Sequence, residues 1–147
     1  MLYKDFEEFF PNDAAAIAYF INIQYPDGMV CPHCGEKHLL YQELGKPKHY
    51  ACKRCNNHFS VMRGTIFENS STSMRMWFYA INAKLNGKKG ISGRQLQRET
   101  GVTYKCAWRM LKLIRTAMGY EQERKMFEAI AEIGEMYWVE NHQKTKT

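Results

Sequence analysis

Long apolar runs are missing from this chain of 147 residues. None approaches the roughly 20 residues that would span a bilayer, which excludes a membrane-spanning helix. The N-terminus MLYKDFEEFF also lacks the basic stretch followed by an apolar run that a signal or transit peptide carries, so the expected compartment is the cytoplasm. Cysteine is scarce: there are five, four of them in close pairs, a usage that fits metal binding in a reducing compartment and argues against a disulfide framework. Acidic residues are nearly absent from 73–119, where ten basic residues face Glu99 alone and give +9. The remaining segments are weakly charged by comparison: −4 over 1–30, +3 over 31–72 and −2 over 120–147, for a total of +6. A positive charge so confined suits a polyanion such as nucleic acid. With 45% hydrophobic and 14% aromatic residues the chain is expected to fold, as one domain or two small modules.

What is present begins with CPHCGEKHLLYQELGKPKHYACKRC, residues 31–55. The spacing Cys31-x2-Cys34-x17-Cys52-x2-Cys55 falls in the range of a four-thiolate zinc site. Each pair forms a tight knuckle, and Gly35 supplies flexible backbone after the first. KHLLYQEL and KPKHYACKR are expected to pair as a hairpin around LGKPK, with NNHFSVMRGTIF adding a third strand. Four protein thiolates close a tetrahedral site, so the expected cofactor is one structural Zn2+ with no catalytic water. His33, His38, His49 and His58 read as exposed polar residues, and Cys106, in an apolar helical pattern, as core.

Before the ribbon, a helix opened by Asn12 or Asp13 runs through AAAIAYFINI and stops at YPDG. After it, ENSSTSM supplies N-caps for MRMWFYAINAKLNG, with Met76, Trp77, Ala80, Ile81 and Leu85 on one apolar stripe. Ser92 is expected to cap GRQLQRET, which ends at Gly101, and Thr103 to cap YKCAWRMLKLIRTAMG, which ends at Gly119. Two helices joined by a tight glycine turn make a helix-turn-helix pattern. On the longer helix Cys106, Met110, Leu113, Ile114 and Ala117 form the expected core face. Tyr104, Lys105 and Arg109 are candidates for base or groove-edge contacts, and Lys88, Lys89, Arg94, Arg98, Lys112 and Arg115 for phosphate contacts. Trp108 reads either as a stacking residue or as packing beneath the first helix, and its size favours packing.

The fold class that follows is α+β: an N-terminal helix packing on the ribbon (1–27), the zinc β-ribbon (28–70), a helical helix-turn-helix domain (71–119) and a tail (120–147). In that tail IGEMYWVE alternates like a strand. Its Ile133, Met136, Trp138 and Val139 form an apolar edge expected to pair with a second copy, making a homodimer.

YPDGMVCPHCG, YACKRCNNHFSVMRGTIFENSS, MWFYAI and GISGRQLQRETGVTYKCAWRMLKLIRTAM, in that order, resemble the N-terminal part of DDE-type insertion-sequence transposases of the ISXO-like group. Those proteins carry a zinc ribbon before an RNase-H-like catalytic domain. The resemblance covers residues 10–119, with a weaker continuation to about 140. It implies recognition of transposon-end double-stranded DNA by this region, and strand cutting and joining by an acidic triad in the later domain. In such transposases the first catalytic Asp stands on a strand reading Val-Asp-Glu-Thr-Tyr. Here AEIGEMYWVEN has Gly134 at that place, and the sequence reaches Thr147 before a second or third carboxylate of such a triad could appear, so no two-metal site is expected and no enzyme activity. Glu132 and Glu135 read as solvated acids.

The expected function is therefore a non-catalytic, zinc-containing DNA-binding protein, nucleoid-associated, with the ribbon as second contact surface or as brace. It would act as a truncated or domesticated transposase serving as a regulator. Two alternatives stand beside it: a zinc-ribbon module that docks a protein through the ribbon or tail, and an accessory subunit to an active transposase in trans.

Overall fold

The computed structural model describes residues 8–68, 70–86, 90–121 and 123–132. Lys88, Lys89 and the tail from 133 onward, with Gly134 and the expected pairing strand, lie outside the described residues. The chain divides into two compact units, Ala14–Ser71 and a second that combines Met1–Asp13 with Thr72–Thr147.

The first unit holds nearly all of helix α1 (Asp13–Gln24) and a three-stranded antiparallel sheet in the order β1 (Leu40–Gln42), β2 (His49–Cys52), β3 (His58–Ser60). α1 ends where the YPDG turn begins: the Gly28 N–H donates to the Tyr25 carbonyl at 3.0 Å, with Gly28 in the left-handed region at φ +92. Ala16, Ile17 and Phe20 are its buried positions, and Phe20 meets Phe67 edge-on with ring centroids 5.5 Å apart. In the sheet, Leu40 pairs with Cys52 and Tyr50 stands opposite both Gln42 and Phe59. The strands are shorter than the alternating sequence suggests, because the cysteine knuckle takes over the end of β2: the Cys52 N–H already bonds to the Asn57 carbonyl.

The second unit is helical: α2 (Met74–Asn86), α3 (Gly93–Thr100), α4 (Tyr104–Ala117) and helical residues over 123–132. Ser92 and Thr103 cap α3 and α4 by accepting from the N–H groups of Gln95 and Cys106, and Gly101 closes α3 at φ +81. The expected stop at Gly119 is not what ends α4. Met118 caps it in right-handed geometry, and the Gly119 and Tyr120 N–H groups bond three residues back, to Thr116 and Ala117, so the helix tightens into a turn without a left-handed residue.

Two expected apolar faces also differ. On α2 the six residues from Trp77 to Asn82 are all buried, which no single stripe predicts, while Met76 and Leu85 are half-buried. Its neighbours include Phe10, whose ring lies 5.5 Å from Phe78, and Ile130 and Ala131, whose carbonyls accept from Asn82. On α4 the buried set is Ala107, Met110, Leu111, Ile114 and Ala117, with Cys106 and Leu113 only half-buried. α4 packs against both α2 and α3. Two neighbours rotate the buried arc from Cys106 and Leu113 to Ala107 and Leu111.

Candidate metal centre and nucleic-acid interface

The two Cys-x-x-Cys knuckles are built alike. In each, the first cysteine's carbonyl accepts from the residue four positions on (Gly35 to Cys31 at 3.0 Å, Asn56 to Cys52 at 2.9 Å), and its N–H donates five on, to Glu36 and Asn57. The residue after the second cysteine is left-handed in both, Gly35 at φ +77 and Asn56 at φ +56. Asn is among the few non-glycine residues that reach this region readily. Sequence reasoning found Gly35 and missed Asn56, whose matching offset was the available signal.

Stacking one knuckle on the other brings Cys31 Sγ within 3.6 Å of Cys55 Sγ and Cys34 Sγ within 3.6 Å of Cys52 Sγ, and all four sulfurs lie within 4.8 Å of one another. Zn–S bonds of about 2.3 Å in a tetrahedron require sulfurs roughly 3.8 Å apart, so the donor set fits one ion. The thiols are electrostatically unlike. Cys31 is brought down to about 6, first by the Cys34 N–H, whereas burial and then the neighbouring thiols push Cys55 up to about 12. Four sulfurs this close cannot all ionise without a cation among them. The cysteines therefore form one structural zinc site. His33, His38, His49 and His58 are all exposed, and His58 pairs with Glu43.

In the helical unit, Lys105, Trp108, Arg109, Lys112 and Arg115 form an exposed stripe along α4, on the side opposite the buried positions. Arg94 and Arg98 are exposed on α3, and Tyr104, 45% exposed, lies beneath the Arg94 guanidinium at 5.2 Å. Gly93 permits that approach, since a Cβ there would stand 3.2 Å from the Tyr104 ring. Among the described residues no carboxylate pairs with Arg94, Arg98, Lys105, Arg109, Lys112 or Arg115. Glu99, the one acid of the segment, is held internally by Tyr79 Oη and Gln95 Nε2. Burial foremost, then Glu99, raises the Tyr79 pKa above its ordinary value.

The favoured packing role of Trp108 is overturned. Trp108 is 52% exposed, with Lys112 Nζ over its ring at 4.9 Å. It borders a groove of about 250 Å³ that runs from Ile91 and Ser92 to Arg115. Ala107 and Leu111 occupy the interior positions beside it, so the indole is left outside.

The chain thus joins a four-thiolate zinc ribbon to a basic pair of helices in helix-turn-helix order. Residues 11–58 match the family model described as the transposase zinc-ribbon domain, and the chain resembles the N-terminal region of an insertion-sequence transposase. It is 30% identical over 129 residues to a Halobacterium salinarum protein described as "Uncharacterized protein in transposable element ISH50". The match takes in 87% of this chain and spans 42% of the relative's length. No solved structure matches the chain.

Proposed function

We propose that this region is a non-catalytic, duplex-DNA-binding part of a transposition system, acting at transposon ends or as a regulator at related sites on the cytoplasmic nucleoid. The observation that carries the reading is the α4 stripe: Lys105, Arg109, Lys112 and Arg115 have no carboxylate partner among the described residues and stand beside an exposed Trp108 on the second helix of a helix-turn-helix. The first turns of such a helix reach base edges, while the later cations and those of α3 suit phosphates. Among the described residues the four cysteines are the one His, Cys, Asp or Glu cluster able to hold a metal, and four thiolates leave no open position for catalysis. That makes the ribbon's metal a structural one.

The test is selection from a random duplex library by zinc-loaded protein near physiological salt. An enriched motif is expected, with affinity falling steeply as salt rises, and with loss of retention in the Lys105→Glu, Arg109→Glu, Lys112→Glu triple variant. Retention unaffected by that variant would sink the assignment. A nuclease or strand-transfer signal with Mg2+ would sink the non-catalytic part. A protein-docking role draws support from Val30, Leu39, Tyr41 and Leu44, apolar side chains left exposed in the ribbon unit. It becomes the better reading if no duplex is retained.

A further inference from the structure

The ribbon unit has a basic cleft of its own, and we infer that it binds the phosphodiester backbone of DNA. The inference rests on the DNA-binding reading above and extends it to a second surface. The cleft has a volume of about 290 Å³, with Lys48, Arg63, His49 and His58 among its lining residues and Phe59 beside them.

With Glu68 set against Lys48 and Arg63, the lining keeps one net positive charge at neutral pH, and the nearby acids Glu36 and Glu43 have cationic partners of their own. Glu36 accepts from the N–H groups of Lys37 and His38 and pairs with Arg54 at 3.5 Å. Glu43 holds His58 and Lys46. Glu68, which also borders the cleft, accepts from the Gly64 N–H at 3.2 Å. Lys48 Nζ reaches only a neutral acceptor, the Ser70 carbonyl at 3.4 Å, and Arg63 is exposed with no carboxylate partner among the described residues. Two cations that make no ion pair among the described residues, beside an aromatic ring, match a strand whose phosphates alternate with largely apolar deoxyribose faces. A lone small anion would leave the aromatic part of the cleft without a partner. A protein partner would have to supply acids spaced like phosphates.

The experiment uses the full zinc-loaded chain and a random-sequence duplex. Binding is followed against salt for the wild type, for Lys48→Gln with Arg63→Gln, and for Arg109→Gln with Lys112→Gln, with zinc content checked in each. Loss of two phosphate contacts should lower the slope of log K against log salt by roughly 2 in the cleft variant. An unchanged slope there, alongside a lowered slope in the α4 variant, overturns the cleft and leaves the α4 reading standing. Unchanged slopes in both, or a wild type that does not bind, overturn the DNA-binding reading itself. If the cleft variant loses zinc, acetylation footprinting of the wild type decides. Protection of Lys48 by duplex is expected, and protection confined to Lys105 and Lys112 overturns the cleft.

Discussion

Asn56 does for the second knuckle what Gly35 does for the first, and it does so with a side chain in a backbone region that disfavours one. At φ +56 its N–H reaches back to Cys52, so the turn that aims Cys55 at the other sulfurs depends on that conformation being accessible. Asn56→Val should destabilise the zinc-loaded ribbon by about 1–2 kcal/mol, the left-handed penalty of an L-residue, with β-branching at the upper end. Asn56→Gly should be nearly neutral, because glycine enters the region freely. Denaturant midpoints of the zinc-loaded proteins check both. Trp108 teaches the opposite lesson about single residues. A tryptophan on a helix is ordinarily read as core, but whether it is buried depends on what lies across from it. The local mark of an outward face was there in Lys105, Lys112 and Arg115, which share the Trp108 side of α4 at helical spacing.

Among the elements, α2 depends on residues far away in the chain. Its first N–H groups, those of Met74 and Arg75, donate to Asp13 Oδ1 at 2.6 and 3.3 Å, while Ser73 Oγ accepts from the Met76 N–H. A carboxylate is favourable there both as acceptor and against the positive end of the helix. Asp13→Ala should cost about 1 kcal/mol, within the usual range for losing a cap, and thermal unfolding of the helical unit followed by circular dichroism measures it. Local caps such as Ser73, Ser92 and Thr103 were legible because they act within one turn of themselves. Asp13 was legible only as the start of its own helix, since its contact with α2 spans 61 positions. The same divide separates the zinc ligands, readable from spacing alone, from the buried faces of α2 and α4. Those faces are set by neighbours that periodicity does not name.

For the whole molecule, metal and acidity act together. Zinc binds thiolates, and with Cys34 and Cys55 raised above their ordinary values in the metal-free site, uptake must release protons. Zinc affinity should therefore rise with pH and fall as the solution is acidified, so that ribbon stability conferred by the metal is lost toward acid. Titration with a chelating indicator across the neutral range, reading released protons alongside zinc, checks the sign; affinity independent of pH would contradict it. Chelation, or Cys52→Ser, should unfold the Ala14–Ser71 unit, since structural zinc supplies on the order of 10 kcal/mol of folding free energy at neutral pH. The boundary between the units falls inside α1, after Asp13, so the ribbon is an insertion in the chain of the helical unit. A growing polypeptide emerges with Phe10 and Asp13 long before Phe78 and Met74 exist to receive them. The intervening stretch must then be closed as a loop whose entropic cost grows with its effective length. Metal capture shortens that loop by folding its interior. Zinc binding should therefore ease the closure of a helical unit that itself holds none of the four cysteine ligands.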